Sequence, residues 1–259
     1  MTTILHLSDL HFGPGHNAQL AQLILNDIAA LNPDMVIISG DFTMRARPHE
    51  YEHARDFLQK ISKPLLTIPG NHDQPLVPIT ERLTRAYARY QEYIHPTVDA
   101  ACARAGIFAI GVNDNRPILP GGFWSRAQRE WIETQARAAQ KDAVKILATH
   151  HQVDWSGMVR PLGFWFPARA LQFLARNGVE IVLNGHTHVP SAVQSREGIV
   201  IARAGTATSS RTRHGNRNAY NLIAIDPHEI RVTVREYDLS RGKFADAREW
   251  KFARRLVKT

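Results

Sequence analysis

Short apolar runs alternate with helically spaced apolar positions along most of this chain. Ile4-Leu5-His6-Leu7 is a compact apolar run that ends at Ser8-Asp9 and reads as a buried strand. Leu20, Leu23, Ile24, Ile28 and Leu31 then recur at helical spacing within residues 17–31. Met35 to Ile38 predicts a second strand, ending at Ser39-Gly40-Asp41, and residues 48–60 a second helix with Pro48 suited to its first turn. Leu65 to Ile68 predicts a third strand, ending at Pro69-Gly70-Asn71-His72. Strand and helix alternating at this spacing predict parallel crossover units. The middle continues less regularly, with helices over 79–95, 125–140 and 167–177 and strands over 106–112, 144–148 and 181–183. Ser125 is placed to cap the second of these helices and Gly178 to stop the third. Shorter strands near 191–195, 198–203, 220–226 and 229–237 follow and predict antiparallel hairpins. With no repeat, low-complexity segment or linker, residues 1–259 read as one domain.

Composition narrows the class. A chain of 259 residues, 44% hydrophobic and 22% charged, can bury a large core. It has no stretch of about 18 uncharged apolar residues, which excludes a membrane-spanning helix. Met1-Thr2-Thr3 lacks a basic leader region and Asp9 interrupts the first apolar run, so the start reads as folded protein and the chain as cytoplasmic. Its single cysteine, Cys102, cannot form an internal disulfide and sits in Ala100-Ala101-Cys102-Ala103, a packing environment. The net charge of +8 favours anionic ligands, although scattered surface arginine would give the same figure.

Candidate chemistry gathers at strand ends. Asp9 and His11 follow the first strand, Asp41 the second, Asn71 and His72 the third, His150 and His151 the strand at 144–148, and His186 and His188 the strand at 181–183. In a mainly parallel sheet these ends share one edge, where ligands bind. Each residue alone has an ordinary explanation, as a turn former, a cap or a hydrogen-bonded histidine. Together they are a cluster of carboxylates and imidazoles that costs free energy to bury unless paired or bound to a cation. Asp9-Leu10-His11 and His186-Thr187-His188 each put two ligands on one side of an extended segment. Mixed nitrogen and oxygen donors without thiolate suit Zn, Mn or Fe.

Asp9-Leu10-His11, Gly40-Asp41, Gly70-Asn71-His72-Asp73, His150 and Gly185-His186-Thr187-His188, in this order, resemble the calcineurin-like metallophosphoesterase superfamily. The N-terminal half is most similar to its bacterial cyclic-nucleotide and glycerophosphodiester phosphodiesterase branch. The resemblance implies a four-layer α/β/β/α sandwich and two divalent or trivalent metal ions. One ion would take Asp9, His11 and His188, the other Asn71, His150 and His186, with Asp41 bridging. It implies a catalytic role for Asp41, Asn71 and His72, the last contacting the phosphate and protonating the leaving oxygen without binding metal. Two ions about 3.5–4 Å apart can hold a hydroxide for in-line attack on phosphorus. Asp73 is placed either to orient His72 or to cap a helix. The family's His-His block usually continues with Pro, whereas this chain reads His150-His151-Gln152, so His151 is left either as a support behind the metal ligands or as a substrate contact.

The substrate is less legible. Arg45 and Arg47 follow Asp41 closely, and Arg211 and Arg213 lie in a basic stretch at 205–218 that reads either as phosphate-facing or as a solvated turn. Trp155 to Phe166 is rich in aromatics, which suit a cap over a base or acyl chain, or simple packing and dimer contact. The leading expectation is a small-molecule phosphodiesterase acting on cyclic nucleotides or glycerophosphodiesters. The alternatives are a lipid-linked pyrophosphate hydrolase with a peripheral membrane contact, and a DNA nuclease subunit. The last is disfavoured because the chain has no appended nucleic-acid-binding region. A homo-oligomer is compatible with all of these.

Overall fold

In the computed structural model, which describes residues 1–104, 106–154 and 163–254, the alternating runs become two six-stranded sheets. The chain opens with β1 (Thr2–Leu7), α1 (Ala18–Leu31), β2 (Met35–Ser39), α2 (Pro48–Leu58) and β3 (Leu65–Ile68). Asn17 caps α1 by accepting hydrogen bonds from the amides of Gln19 and Leu20, and Asn32 ends it in the left-handed conformation. Two short helices, α3 (Ile79–Thr84) and α4 (Ala88–Tyr93), lead to β4 (Ala100–Arg104) and β5 (Ile107–Gly111). Next come α5 (Arg126–Ala138), β6 (Val144–Ala148), α6 (Pro167–Arg176) and β7 (Val179–Asn184). Ser125 caps α5 as expected, its hydroxyl accepting from the Gln128 amide while the Gln128 side chain accepts from the Ser125 amide. The chain closes with β8 (Ser191–Gln194), β9 (Val200–Arg203), β10 (Ala219–Ile225), β11 (Glu229–Asp238) and β12 (Lys243–Ala253).

The first sheet has the order β12-β11-β10-β1-β2-β3 and the second β4-β5-β6-β7-β9-β8. β1, β2 and β3 pair in parallel, as do β5, β6, β7 and β9. Alternation along each strand divides the apolar side chains between two faces. Ile4, Met35, Ile37 and Leu66 meet Ala109, Ile146, Ile181 and Leu183 between the sheets. Leu5, Leu7, Val36 and Ile38 turn the other way onto Leu20 and Ile24 of α1 and Tyr51 and Phe57 of α2. Ile110, Leu147 and Val182 pack outward against Ile132 of α5 and Leu171 and Leu174 of α6. Helix, sheet, sheet and helix are therefore stacked as the four-layer sandwich implied by the family resemblance. Strands covered on both faces read as unbroken apolar runs, which is why they stood out in the sequence. No helix among the described residues is long and apolar enough to cross a membrane.

The structure departs from the sequence expectations in four places. The helix expected over 79–95 is two helices, because α3 buries no side chain while α4 is drawn inward by the fully buried Tyr90, whose hydroxyl meets Thr67 at 2.9 Å. β4, which carries Cys102 half-buried against Ala109, and β12 were not anticipated. β12 hides its pattern behind a bulge. Val234 pairs with Arg248 but Arg235 pairs with Asp246, leaving Ala247 extra. Phe244 packs on the helix side and Trp250 and Phe252 face the inter-sheet core, although all three share the same parity. β9, expected only as half of a hairpin with β8, also pairs in parallel with β7.

One polar residue of β1 lies between the sheets. His6 is fully buried, with Nε2 2.9 Å from Ser39 Oγ and Nδ1 3.3 Å from the Asn221 amide nitrogen. Burial pushes its pKa down to about 3, against the attraction of Asp9. The folded state then binds fewer protons than the unfolded chain below about pH 6.5, so His6 stabilises fully above that pH. Its contribution falls by roughly 1.4 kcal/mol per pH unit down to about pH 3. Urea unfolding of wild type and His6→Asn between pH 6.5 and 4 is expected to show a steeper loss of stability for wild type. Equal slopes would show that His6 is not the titrating group.

Candidate metal centre

The loops that leave β1 and β2 run side by side beyond the sheet. The amide of Asp9 donates to Gly40 O at 3.0 Å, that of His11 to Asp41 O at 2.9 Å, and that of Phe12 to Phe42 O at 2.7 Å. Asp73 ties the β3 loop to them, its carboxylate accepting from the amides of Gly70, Phe42 and Thr43 and from the Thr43 hydroxyl. Thr206 and Thr208, beyond β9, donate to the carbonyls of Asp9 and Leu10 at 2.7 and 2.6 Å. Asp9, His11, Asp41, His186 and His188 all have positive φ, between 47° and 67°. This left-handed conformation is uncommon for residues other than glycine and costs about 1 kcal/mol or more at each. It turns five polar side chains inward at points where an extended chain would pass them by.

Seven side chains converge there. Asp9 Oδ1 lies 3.1 Å from His188 Nε2 and 3.6 Å from His11 Nε2, and the two imidazole nitrogens are 3.2 Å apart. Asn71 Oδ1 lies 3.0 Å from both His150 Nε2 and His186 Nδ1, which are 3.3 Å from each other. Between these groups, Asp41 Oδ2 is 3.7 Å from His11 Nε2 and 3.4 Å from His150 Nε2. Its other oxygen, Oδ1, accepts from the His72 amide at 2.8 Å. Asp9, His11, Asp41 and Asn71 belong to the first sheet, and His150, His186 and His188 to the second, so each group draws on both sheets.

These residues fit a pair of cations. A tetrahedral ion with ligands about 2.0–2.1 Å away holds them roughly 3.3–3.4 Å apart, close to the spacings seen. Asp9 Oδ1 is buried and has no hydrogen-bond partner among the described residues. Nδ1 of His11, His150 and His188 faces the carbonyl of Thr43, Ser39 and Arg211 respectively. A carbonyl can only accept, so each Nδ1 carries a hydrogen and each ring turns its Nε2 to the centre, where it could serve as a ligand once unprotonated. Charge is balanced by protons when no cation is present. The His150 pKa is lowered by burial but raised more by Asp41, reaching about 10, and Asp9 raises that of His188 against its burial. Burial would raise the carboxylates, yet His188 holds Asp9 and His150 holds Asp41 well below the ordinary range. Cations entering this site must displace protons from the imidazoles.

The remaining expectations divide. His72 sits edge-on to His11 with ring centroids 4.8 Å apart, its Nδ1 donating to Met44 O at 2.8 Å. Asp73 does not orient that ring; it is the staple between the loops. Arg211 reaches the site, donating from Nη1 to His72 Nε2 at 3.1 Å while its carbonyl supports His188. Arg45 and Arg213 are exposed, so the basic stretch is partly a solvated loop. His151 lies beside His186, ring centroids 4.5 Å apart. Phe164 is buried against Trp124, a packing role, whereas Trp165 and Phe166 are exposed; residues 155–162 lie outside the described residues. Asp114 was missed. Its buried carboxylate accepts from the amides of His150 and His151 and from His151 Nδ1 at 3.2 Å. The run Asn113-Asp114-Asn115 directly after the strand at 106–112 was the available signal, a sixth polar strand end.

Residues 2–190 match the family model described as calcineurin-like phosphoesterase. A "probable cyclic nucleotide phosphodiesterase" of Synechococcus is 26% identical over 197 residues, covering 72% of this chain and 73% of that protein. Shorter matches are 38% identical to the glycerophosphodiester phosphodiesterase GpdQ of Enterobacter lignolyticus, covering 26% of this chain and 28% of GpdQ. Another is 32% identical to the UDP-2,3-diacylglucosamine pyrophosphatase LpxG of Chlamydia muridarum, covering 27% of this chain and 22% of LpxG. Among solved structures, a dimetal phosphatase from Danio rerio superposes with a TM-score of 0.70 at 12% identity over 98% of this chain and 99% of that one, a likeness of fold.

Proposed function

This chain belongs to the calcineurin-like phosphoesterase family and is a metal-dependent hydrolase, and from that premise we propose that it cleaves a phosphodiester of a small molecule. The observation that carries the reading is the convergence of the buried Asp9 Oδ1 on the Nε2 atoms of His188 and His11, at 3.1 and 3.6 Å, beside the matching group of Asn71, His150 and His186. Asp9, His11 and His188 would hold one ion and Asn71, His150 and His186 the other, with Asp41 placed to serve both. The mixture of nitrogen and oxygen donors would suit Mn, Fe or Zn. When bound, they would supply Lewis acidity toward the phosphoryl oxygens and make water acidic enough to ionise near neutral pH.

The chain's own residues position the ester. Arg211 and His72 stand together at the first group of ligands. In the present arrangement Arg211 donates to His72 Nε2, so that nitrogen carries no proton. An incoming phosphoryl oxygen takes over the Arg211 donor, which matches phosphate geometry. His72 is then free to carry a proton at Nε2 and pass it to the leaving oxygen, with Met44 O fixing the ring from behind. The cyclic-nucleotide and glycerophosphodiester classes are supported by the names of the Synechococcus and Enterobacter relatives. A second reading, with the substrate presented at a membrane surface, draws on the exposed Leu76, Val77, Ile79, Ile118 and Leu119 and on the Chlamydia relative's name. Strong dependence of activity on anionic vesicles would favour it.

The test is hydrolysis of bis(p-nitrophenyl) phosphate with the metal content of the same sample measured. The expected result is two ions per chain, loss of activity on chelation and recovery with Mn. Protein with both sites filled that hydrolyses neither phosphodiesters nor monoesters would sink the proposal.

A further inference from the structure

Three of the four imidazoles that face the centre have a backbone carbonyl behind them, and His186 does not. Its Nδ1 is the nitrogen turned toward Asn71 Oδ1 and His150 Nε2, and its Nε2 has no hydrogen-bond partner among the described residues. The His186 amide donates to Asp9 Oδ2 at 3.0 Å, which fixes the backbone and does not set the ring. Other rings restrain it. His151 lies beside it with centroids 4.5 Å apart and planes inclined at 47°, and His150 meets it edge-on at 5.1 Å. A ligand ring without a hydrogen bond behind it depends on such packing for its orientation.

His151 is in turn held by a carboxylate. Gly111 of β5 pairs with Ala148 of β6, and the Val112 amide donates to Ala148 O at 2.9 Å, so the chain beyond β5 runs alongside His150 and His151. Asp114 is fully buried there. Its Oδ1 accepts from the His150 amide at 3.2 Å, and its Oδ2 from the His151 amide at 2.9 Å and from His151 Nδ1 at 3.2 Å. One carboxylate therefore fixes the backbone that carries one ligand and the ring that packs on another. Gly122 closes the pair in. A Cβ there would lie 2.3 Å from Asp114 Oδ2 and 2.9 Å from His151 Cβ, and its own backbone is tied to Gly163 and Trp165. Neither Asp114 nor His151 hydrogen-bonds to Asp9, His11 or His188.

We infer that Asp114 is a positioning residue for one half of the centre, setting the affinity of the Asn71, His150 and His186 group for its ion through the His150 backbone and the His151 ring. The inference rests on the two-ion reading of the site and adds a residue that does not itself bind metal. Without the carboxylate, the His150 and His151 amides lose their acceptor and the His151 ring loses its anchor. His186 then loses the neighbour that orients it. The three ligands stay in the chain, but they must be ordered as the ion binds, and that ordering is taken from the affinity. The Asp9, His11 and His188 group keeps its own supports, the carbonyls of Thr43 and Arg211. The effect of Asp114 is therefore confined to one ion.

The experiment titrates the metal-free full-length protein with Mn by calorimetry, for wild type, Asp114→Asn and His151→Ala. Hydrolysis of bis(p-nitrophenyl) phosphate is followed over the same Mn range, and circular dichroism checks the fold. In Asp114→Asn one of the two dissociation constants is expected to rise about 10- to 100-fold, as for loss of a partner behind a ligand, with the other within about threefold of wild type. Saturating Mn should restore most of kcat, a recovery that damage to the fold would not show. His151→Ala removes the ring and is expected to weaken the same ion. His186→Ala identifies the group, since adding Asp114→Asn to it should leave the remaining constant unchanged. Both constants rising together, neither rising, or kcat staying low with both ions bound overturns the inference. Wild type that binds fewer than two ions overturns the two-ion reading and this inference with it.

Discussion

Asp41→Ala is expected to lower kcat/KM for bis(p-nitrophenyl) phosphate at least about 1,000-fold and to reduce bound metal from two ions per chain to one or fewer. A loss of this size is roughly 4 kcal/mol of transition-state stabilisation. It follows from the position of one oxygen. Asp41 Oδ2 is within 3.7 Å of His11 Nε2 and 3.4 Å of His150 Nε2, so it faces both groups of ligands, while Oδ1 holds the His72 amide. Alanine removes the proposed shared ligand, the charge that raises the His150 pKa, and the acceptor that anchors the His72 amide. Asp41→Asn separates these roles, since it keeps an oxygen for the amide and loses the negative charge. It should retain the fold by circular dichroism and still lose metal. If Asp41→Ala binds two ions and works within tenfold of wild type, Asp41 is not shared.

Gly185→Ala should be nearly as damaging, although it adds only a methyl group and replaces no ligand. A Cβ at Gly185 would lie 1.8 Å from Ser8 Oγ and 2.5 Å from Asp9 Oδ2. Ser8 and Asp9 are fully buried and their loop is tied to Gly40 and Thr206, so neither can move aside without breaking those bonds. Asp9 must shift, or the loop carrying His186 and His188 must lift. Overpacking of this kind costs about 1–3 kcal/mol of stability, and misplacing a site by about 1 Å costs about 100-fold in rate. Gly205→Ala is the matched comparison, since its Cβ would meet nothing nearer than 3.3 Å. Ser8→Ala combined with Gly185→Ala should recover part of the loss, because it removes the closest atom. Activity of Gly185→Ala within twofold of wild type would show that the two loops do not share a fixed geometry.

The parallel strands were legible because both of their faces are covered, so each appears as an uninterrupted apolar run closed by a polar residue. The same closure marked Asp9, Asp41, Asn71, His150 and His186, and the ordered blocks identified the family. Legibility failed where tertiary context decides. β12 carries one apolar pattern on two faces because of its bulge, and α3 has no buried side to distinguish it from α4. Asp114 escaped because it supports His150 and His151 from behind, through their amides and the His151 ring, and its one signal was its place at a polar strand end. Arg211 was weighed alongside Arg213, two residues away, and only the fold of the loop brings the first to His72 and leaves the second in solvent.

Each group of ligands spans both sheets, with Asp9 and His11 opposite His188, and Asn71 opposite His150 and His186. An ion seated in either is therefore a cross-link between the two halves of the sandwich at the edge where their loops diverge. Occupancy becomes a folding variable by mass action, adding about 2.7 kcal/mol per site at a cation concentration a hundredfold above its dissociation constant. Metal starvation would then act on the persistence of the chain as well as on its turnover, removing the catalyst and the fastener together.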